Sequence, residues 1–168
     1  MISNSGRWAP GVELAGRLSL LRRKEERVGK FEEHGTGYKA DIDIRVGPAH
    51  SAWNCRAFAA KLRADVECVL GISFPVTDDG RDPAGGYRFW FENDDMSVHV
   101  IVDDPEEGWP LDKVPAAALP ISRSEQVATW ELAEKLYDGL NALDTYLLIA
   151  LDQFGMPIAA NFDVGDGW

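Results

Sequence analysis

Between Tyr87 and Val102 large apolar residues alternate with polar ones twice over, first in Tyr87-Arg88-Phe89-Trp90-Phe91-Glu92 and again in Met96-Ser97-Val98-His99-Val100-Ile101-Val102. A period of two marks a strand with one buried face. Asn93-Asp94, between the runs, are residue types that tolerate a tight hairpin turn. A two-residue loop there predicts Phe91 opposite Met96, Phe89 opposite Val98 and Tyr87 opposite Val100, with every large apolar pair on one face. The other face then carries Trp90 beside Ser97 and Arg88 beside His99. A hairpin this one-sided cannot stand alone, so the rest of the chain must supply a cover and more strands.

Two helices can provide the cover. Asn54 is a good N-cap, Phe58, Leu62, Val66 and Val69 recur at helical intervals, and Gly71 supplies a stop. Ser122 and Glu125 have capping-box spacing ahead of a stripe of Val127, Trp130, Ala133, Tyr137 and Leu140. Tyr38 to Val46 alternates as a half-buried strand that Gly47-Pro48 ends, and Ile72 to Val76 reads as a short strand. Tyr146 to Asp152 and Pro157 to Asp163 read as a second hairpin with an apolar, central first strand. Asp103 to Pro120, studded with proline and acid, reads as a loop. The expected class is α+β: a mainly antiparallel sheet with two long helices packed on one face, plus a basic N-terminal arm.

Length and composition agree with a single domain. The 168 residues, 45% hydrophobic and 27% charged, can bury roughly 70% of the surface the unfolded chain exposes, so no disulfide or structural metal is needed. Charge divides the chain. Up to Phe31 there are seven basic residues against three acidic ones, +4; the remaining ten basic and twenty-five acidic residues give −15. The break at Glu32-Glu33-His34-Gly35-Thr36-Gly37 predicts an arm and linker over 1–36 and a single α+β domain over 37–168. The net charge of −11 repels nucleic-acid phosphate and anionic lipid and favours basic partners. The longest apolar run, Tyr146 to Leu151, is far short of the ~20 residues of a membrane-spanning helix. Cys55 and Cys68, thirteen residues apart on one predicted helix, stand about 19 Å apart, beyond any disulfide. Free thiols suit a reducing compartment, so the expected location is the cytoplasm.

Catalytic signatures are missing. Gly71-Ile72-Ser73-Phe74-Pro75 lacks the second glycine of a nucleophile elbow, no P-loop occurs, and Gly35/Gly37 and Gly85/Gly86 lack the strand-to-helix context of a phosphate cradle. His34, His50 and His99 are far apart in sequence, neither cysteine has a Cys-x-x-Cys partner, and Asp78-Asp79-Gly80-Arg81-Asp82 misses calcium-loop spacing. No metal or cofactor is expected.

Two surfaces rise above this background. One is the outward sheet face with Asp41, Asp43, Arg45, Arg88, Trp90 and His99, since tryptophan, arginine and acids on a rigid plane suit a protein-binding hot spot. The other is the acidic loop with Asp103, Asp104, Glu106, Glu107 and Trp109, whose charge can imitate phosphate. Asp41, Asp43, Arg88, Trp90, His99, Asp103, Asp104, Glu106, Glu107 and Trp109 are therefore the candidate partner-binding residues. The expected function is a non-catalytic acidic protein that sequesters or inhibits a basic partner protein such as a toxin, as immunity proteins and antitoxins do. The competing expectation is an enzyme or ligand binder that pairs His99 with Asp41, Asp43 or Asp103 in a pocket between sheet and loops.

Overall fold

The computed structural model describes residues 29–34, 41–75, 80–107 and 111–165. Six strands make one antiparallel sheet: β1 (Asp43–Pro48), β2 (Tyr87–Glu92), β3 (Met96–Val102), β4 (Ala116–Ser122), β5 (Tyr146–Leu151) and β6 (Pro157–Ala160), in the spatial order β2-β3-β4-β1-β5-β6. Two helices, α1 (Cys55–Leu70) and α2 (Thr129–Asn141), share one face of it. α1 lies against β2 and β3, and α2 against β4, β1 and β5. The α+β class with two helices on one side of the sheet is as the hydrophobic pattern requires.

α1 keeps both of its sequence signals. The Asn54 side chain accepts a hydrogen bond from the Ala57 N–H, and Gly71 closes the helix at φ +73°, a left-handed conformation that favours glycine. Cys55 and Cys68 both lie on this helix as free thiols. The segment after it is not a strand in the described part: Phe74 is buried, its N–H donates to Glu67 and its carbonyl accepts from Arg63, so Ile72–Pro75 is tied to α1. Val76 lies outside the described residues.

The hairpin folds with its faces as predicted and its rungs displaced. Phe91 pairs with Val98, Phe89 with Val100 and Tyr87 with Val102. The turn is Asp94-Asp95, one residue later than expected. Neither residue has positive φ; instead the Asn93 side chain accepts from the N–H groups of Asp95 and Met96 and closes the turn itself. The displacement changes each pairing sum by two, so Tyr87, Phe89 and Phe91 keep the core face.

Three further expectations need correction. Ala116–Ser122, whose residues up to Pro120 read as the end of a proline-rich loop, is the strand β4 between β3 and β1. Pro120 is tolerated because it lies two residues past the last rung with β1, Ile44 to Ala118, where no ladder bond is lost. Ser122 ends that strand and caps no helix. Its hydroxyl donates to the carbonyls of Ser124 and Val127, its N–H donates to Thr129 Oγ1, and α2 starts at Thr129, with Glu131 accepting from the Ala128 N–H. Finally, β1 continues through Gly47 and Pro48, which pair with Leu147 and Tyr146 of β5.

Of the stretch read as an arm, residues 29–34 lie on α2. Phe31 is 1% exposed and meets Tyr137 edge-on at 5.7 Å, while Lys30 pairs with Asp138 and sits 4.4 Å from the Tyr137 ring centre. Residues 1–28 lie outside the described residues.

Candidate functional site

Strand alternation decides which side chains reach the face without helices. Opposed residues in an antiparallel sheet point the same way, so the rows on that face are Trp90, His99 and Leu119; Glu92, Ser97 and Ile121; and Arg88, Ile101, Ala117, Arg45, Ile149 and Ala160. This face is only partly open. Over β5, Leu111 and Val114 of the loop before β4 pack with Phe162 and Val164 of the C-terminal segment onto Leu147, Ile149 and Leu151. Among the described residues the open portion is the opposite end, on β2 and β3.

Trp90 dominates that end. Its indole is 51% exposed and the His99 ring meets it edge-on at 4.7 Å. The sequence reading had set His99 beside Arg88; the displaced register puts it beside Trp90. Cover by the indole and neighbouring strands holds the His99 pKa below the ordinary histidine value, with the Arg88 guanidinium adding to the shift. The neutral imidazole therefore persists to lower pH than in an unfolded chain. We expect the His99 ring signals in an NMR titration to change below pH 6.5, and Trp90→Ala, which removes cover, to move that midpoint upward. An unshifted midpoint in both proteins would contradict the packing. Because the folded-state pKa is depressed, the stability linked to His99 is fully present above its unfolded pKa and is lost as pH falls through the folded one.

Arg88, on the same face, is held by the loops. Its guanidinium donates to Asp103 at 2.8 Å and to the Tyr87 carbonyl, with Asp82 3.8 Å away. Asp104 accepts from the Trp53 indole N–H at 2.9 Å, and the Trp53 ring packs against Phe58 at a tilt, with ring centres 4.9 Å apart. These two acids thus fasten the loop to the sheet and to the start of α1. Glu106 and Glu107 extend into solvent, and Trp109 lies outside the described residues. On the far side, Asp41 is exposed and Asp43 is half-buried, 3.9 Å from Arg45. Burial raises the Asp43 pKa, Arg45 opposes that, and Asp41 adds to it.

The ten residues read from sequence therefore do not form one cluster. Trp90 with His99, and Arg88 with Asp103, are adjacent. β4 lies between Asp43 and His99, a backbone separation of about 10 Å at ~4.8 Å per strand, too far for a hydrogen bond. Among the described residues no three His, Cys, Asp or Glu side chains gather where a metal ion could sit, and no helix is long and apolar enough to cross a membrane. The Cys55 thiol is half-buried against the Val102 carbonyl, and burial with Asp104 and Asp103 pushes its pKa up, the opposite of a reactive thiolate.

Sequence reasoning missed two features of this end. Leu119 and Ile121 of β4, beside His99 and Ser97, add apolar surface to it; the alternation of Leu119-Pro120-Ile121 was the available signal. A notch of about 450 Å³ opens at the β2 edge, lined by Arg63, Arg81 and Arg88 with Phe74, Phe89 and Trp90 among others. No sequence spacing links these residues. No protein-family model, curated protein or solved structure matches the chain.

Proposed function

We propose that this chain is a non-catalytic binding protein that holds a basic partner protein against the open end of its sheet, as an immunity protein or antitoxin holds a toxin. The observation that carries this reading is Trp90: a large aromatic, half-exposed at 51%, fixed on a strand and backed by His99. Aromatic side chains bury much area on binding at little entropic cost, and such anchors dominate interface energetics. Acids surround the anchor. Glu92, Asp94 and Asp95 lie at the hairpin tip and Glu106 and Glu107 on the neighbouring loop, all exposed, on a chain of net charge −11. Such a field speeds encounter with a cationic surface and selects against acidic ones. Among the described residues His99 makes its ring contact with Trp90 and not with a carboxylate, which favours an anchor over an acid–base pair. The two free thiols suit a reducing compartment, and we place the protein in the cytoplasm on that ground.

The test is capture from the native lysate on immobilised chain at low and high salt. A basic protein retained at low salt and released at high salt is the expected result. Reversing charge with Glu106→Lys and Glu107→Lys should slow its association several-fold with the fold intact. Recovery of no basic protein at either salt overturns the reading.

A further inference from the structure

One side of α2 carries the chain that precedes the sheet. Trp130, Glu134 and Tyr137 recur at helical spacing on that side, while Gly139, half a turn round, meets Val69 of α1. Residues 29–32 are locked onto it. The Gly29 N–H donates to the Glu32 carboxylate at 3.3 Å, the Glu32 N–H donates back to the Gly29 carbonyl, and the Phe31 N–H donates to Glu134. Gly29 is buried on the Trp130 ring. A Cβ there would stand 2.1 Å from the indole, so the side-chain direction of residue 29 aims at α2. The preceding chain therefore enters at Trp130.

Beside this entry is a hollow of about 250 Å³ lined by Trp130, Glu131, Glu134, Lys135 and Asp138. Lys30 takes Asp138. Among the described residues Glu131 and Glu134 accept only backbone N–H groups, from Ala128 and Phe31, and pair with no cation, Lys135 included. An N–H bond leaves the charge of a carboxylate and most of its acceptor sites in place. An indole beside two such acids suits a guanidinium, which lies on aromatic faces and forks its donors to carboxylates.

We propose that Arg27 of the same chain fills this hollow, its guanidinium against the Trp130 indole and donating to Glu131 and Glu134. Sequence position selects it. Arg27 is the first basic residue before Gly29, and in extended backbone residues two apart point the same way. With residue 29 aimed at the indole, Arg27 is aimed at α2 as well. Two residues span at most about 7 Å, within the reach of an arginine side chain. Glu26, of the other parity, is turned away from the α2 acids. The basic arm is thereby stapled to the helix layer, on the opposite side of the sheet from Trp90, and its positive charge leaves the acidic hairpin tip unneutralised.

The experiment uses the whole chain without any partner, so it is decided independently of the function proposed above. Trypsin cuts after an arginine only when that side chain enters the protease, so a docked Arg27 should slow the Arg27–Val28 cut below its rate in a free peptide of residues 17–30. Glu131→Gln with Glu134→Gln keeps an acceptor for each described N–H bond and removes the charge. It should speed that cut about fivefold, the loss of a partly exposed cation–π and ion-pair contact, with the Arg22–Arg23 cut unchanged. Should that variant fail to fold, Arg27→Ala, which alters no described contact, decides: it should shift the Trp130 indole N–H signal and leave that of Trp90 in place. Cutting of the wild-type chain at the rate of the peptide overturns the proposal. So does a folded double variant cut no faster than wild type, or an Arg27→Ala chain whose Trp130 signal does not move. Protection that falls on dilution would put Arg27 of a second copy in the hollow and overturn the pairing within one chain.

Discussion

Replacing Ile44 with alanine should lower folding stability by about 4 kcal/mol, near the upper end for a buried isoleucine. Ile44 is fully buried on β1 in the middle of the sheet. On its row toward the helices, Ala118 of β4 and Ala150 of β5 flank it, with Val100 and Ala159 beyond. Those alanines let α2 approach the sheet, and Ile44 fills the space between them. Truncation leaves four alanines in a row, and none of them can collapse into the gap. The cost is lost transfer energy plus an unrelaxed cavity. Urea unfolding should show a lower midpoint with the slope unchanged. A loss under about 1 kcal/mol would mean that the helices settle onto the sheet, against the packing described here.

The second large effect is at Gly47, and its sign is the test. In an ordinary strand a glycine-to-alanine change stabilises, by roughly 0.5–1 kcal/mol. Gly47 is on β1 where the loop before β4 crosses the sheet, and a Cβ there would stand 1.7 Å from the Lys113 carbonyl oxygen and 3.0 Å from the Val114 Cα. Both contacts are backbone, so no side chain can swing aside. Gly47→Ala should cost about 3 kcal/mol, as overpacking a well-filled site does, and should loosen Leu111 and Val114 over β5. Hydrogen exchange at residues 111–114 and 147–151 should rise with it. A variant as stable as the parent would place the loop farther from the sheet than its contacts with Ile149 and Leu151 imply.

These two sites show how unevenly the fold could be read from residues alone. Helix α1 was legible from end to end because its signals are local: a cap at Asn54, an apolar stripe and a left-handed glycine. The faces of the first hairpin were legible too, since alternation fixes them. Its register was not, because the Asn93 side chain rather than a positive-φ turn closes the loop. β4 was hidden by Pro115 just before it and Pro120 within it, residues that mark loops in sequence, although Pro120 is harmless past the end of the ladder with β1. With β4 missing, Asp43 could be imagined beside His99, and the strand between them excludes it. Ser122 and Glu125 had the spacing of a capping box in a place where tertiary pairing made the serine a strand end. The candidate site was legible in its centre, Trp90, and not in its surroundings, which long-range register assembles.

The central claim is that partners dock on the β2–β3 end of the face without helices. The direct measurement is the set of backbone amide shifts in the 15N-labelled chain as a captured basic partner is added. The account predicts the largest changes at Trp90, His99 and Glu92, with β4 at Leu119 and Ile121 next and the helices α1 and α2 unmoved. Changes concentrated on the outer surfaces of α1 and α2, with Trp90 and His99 unaffected, would contradict it.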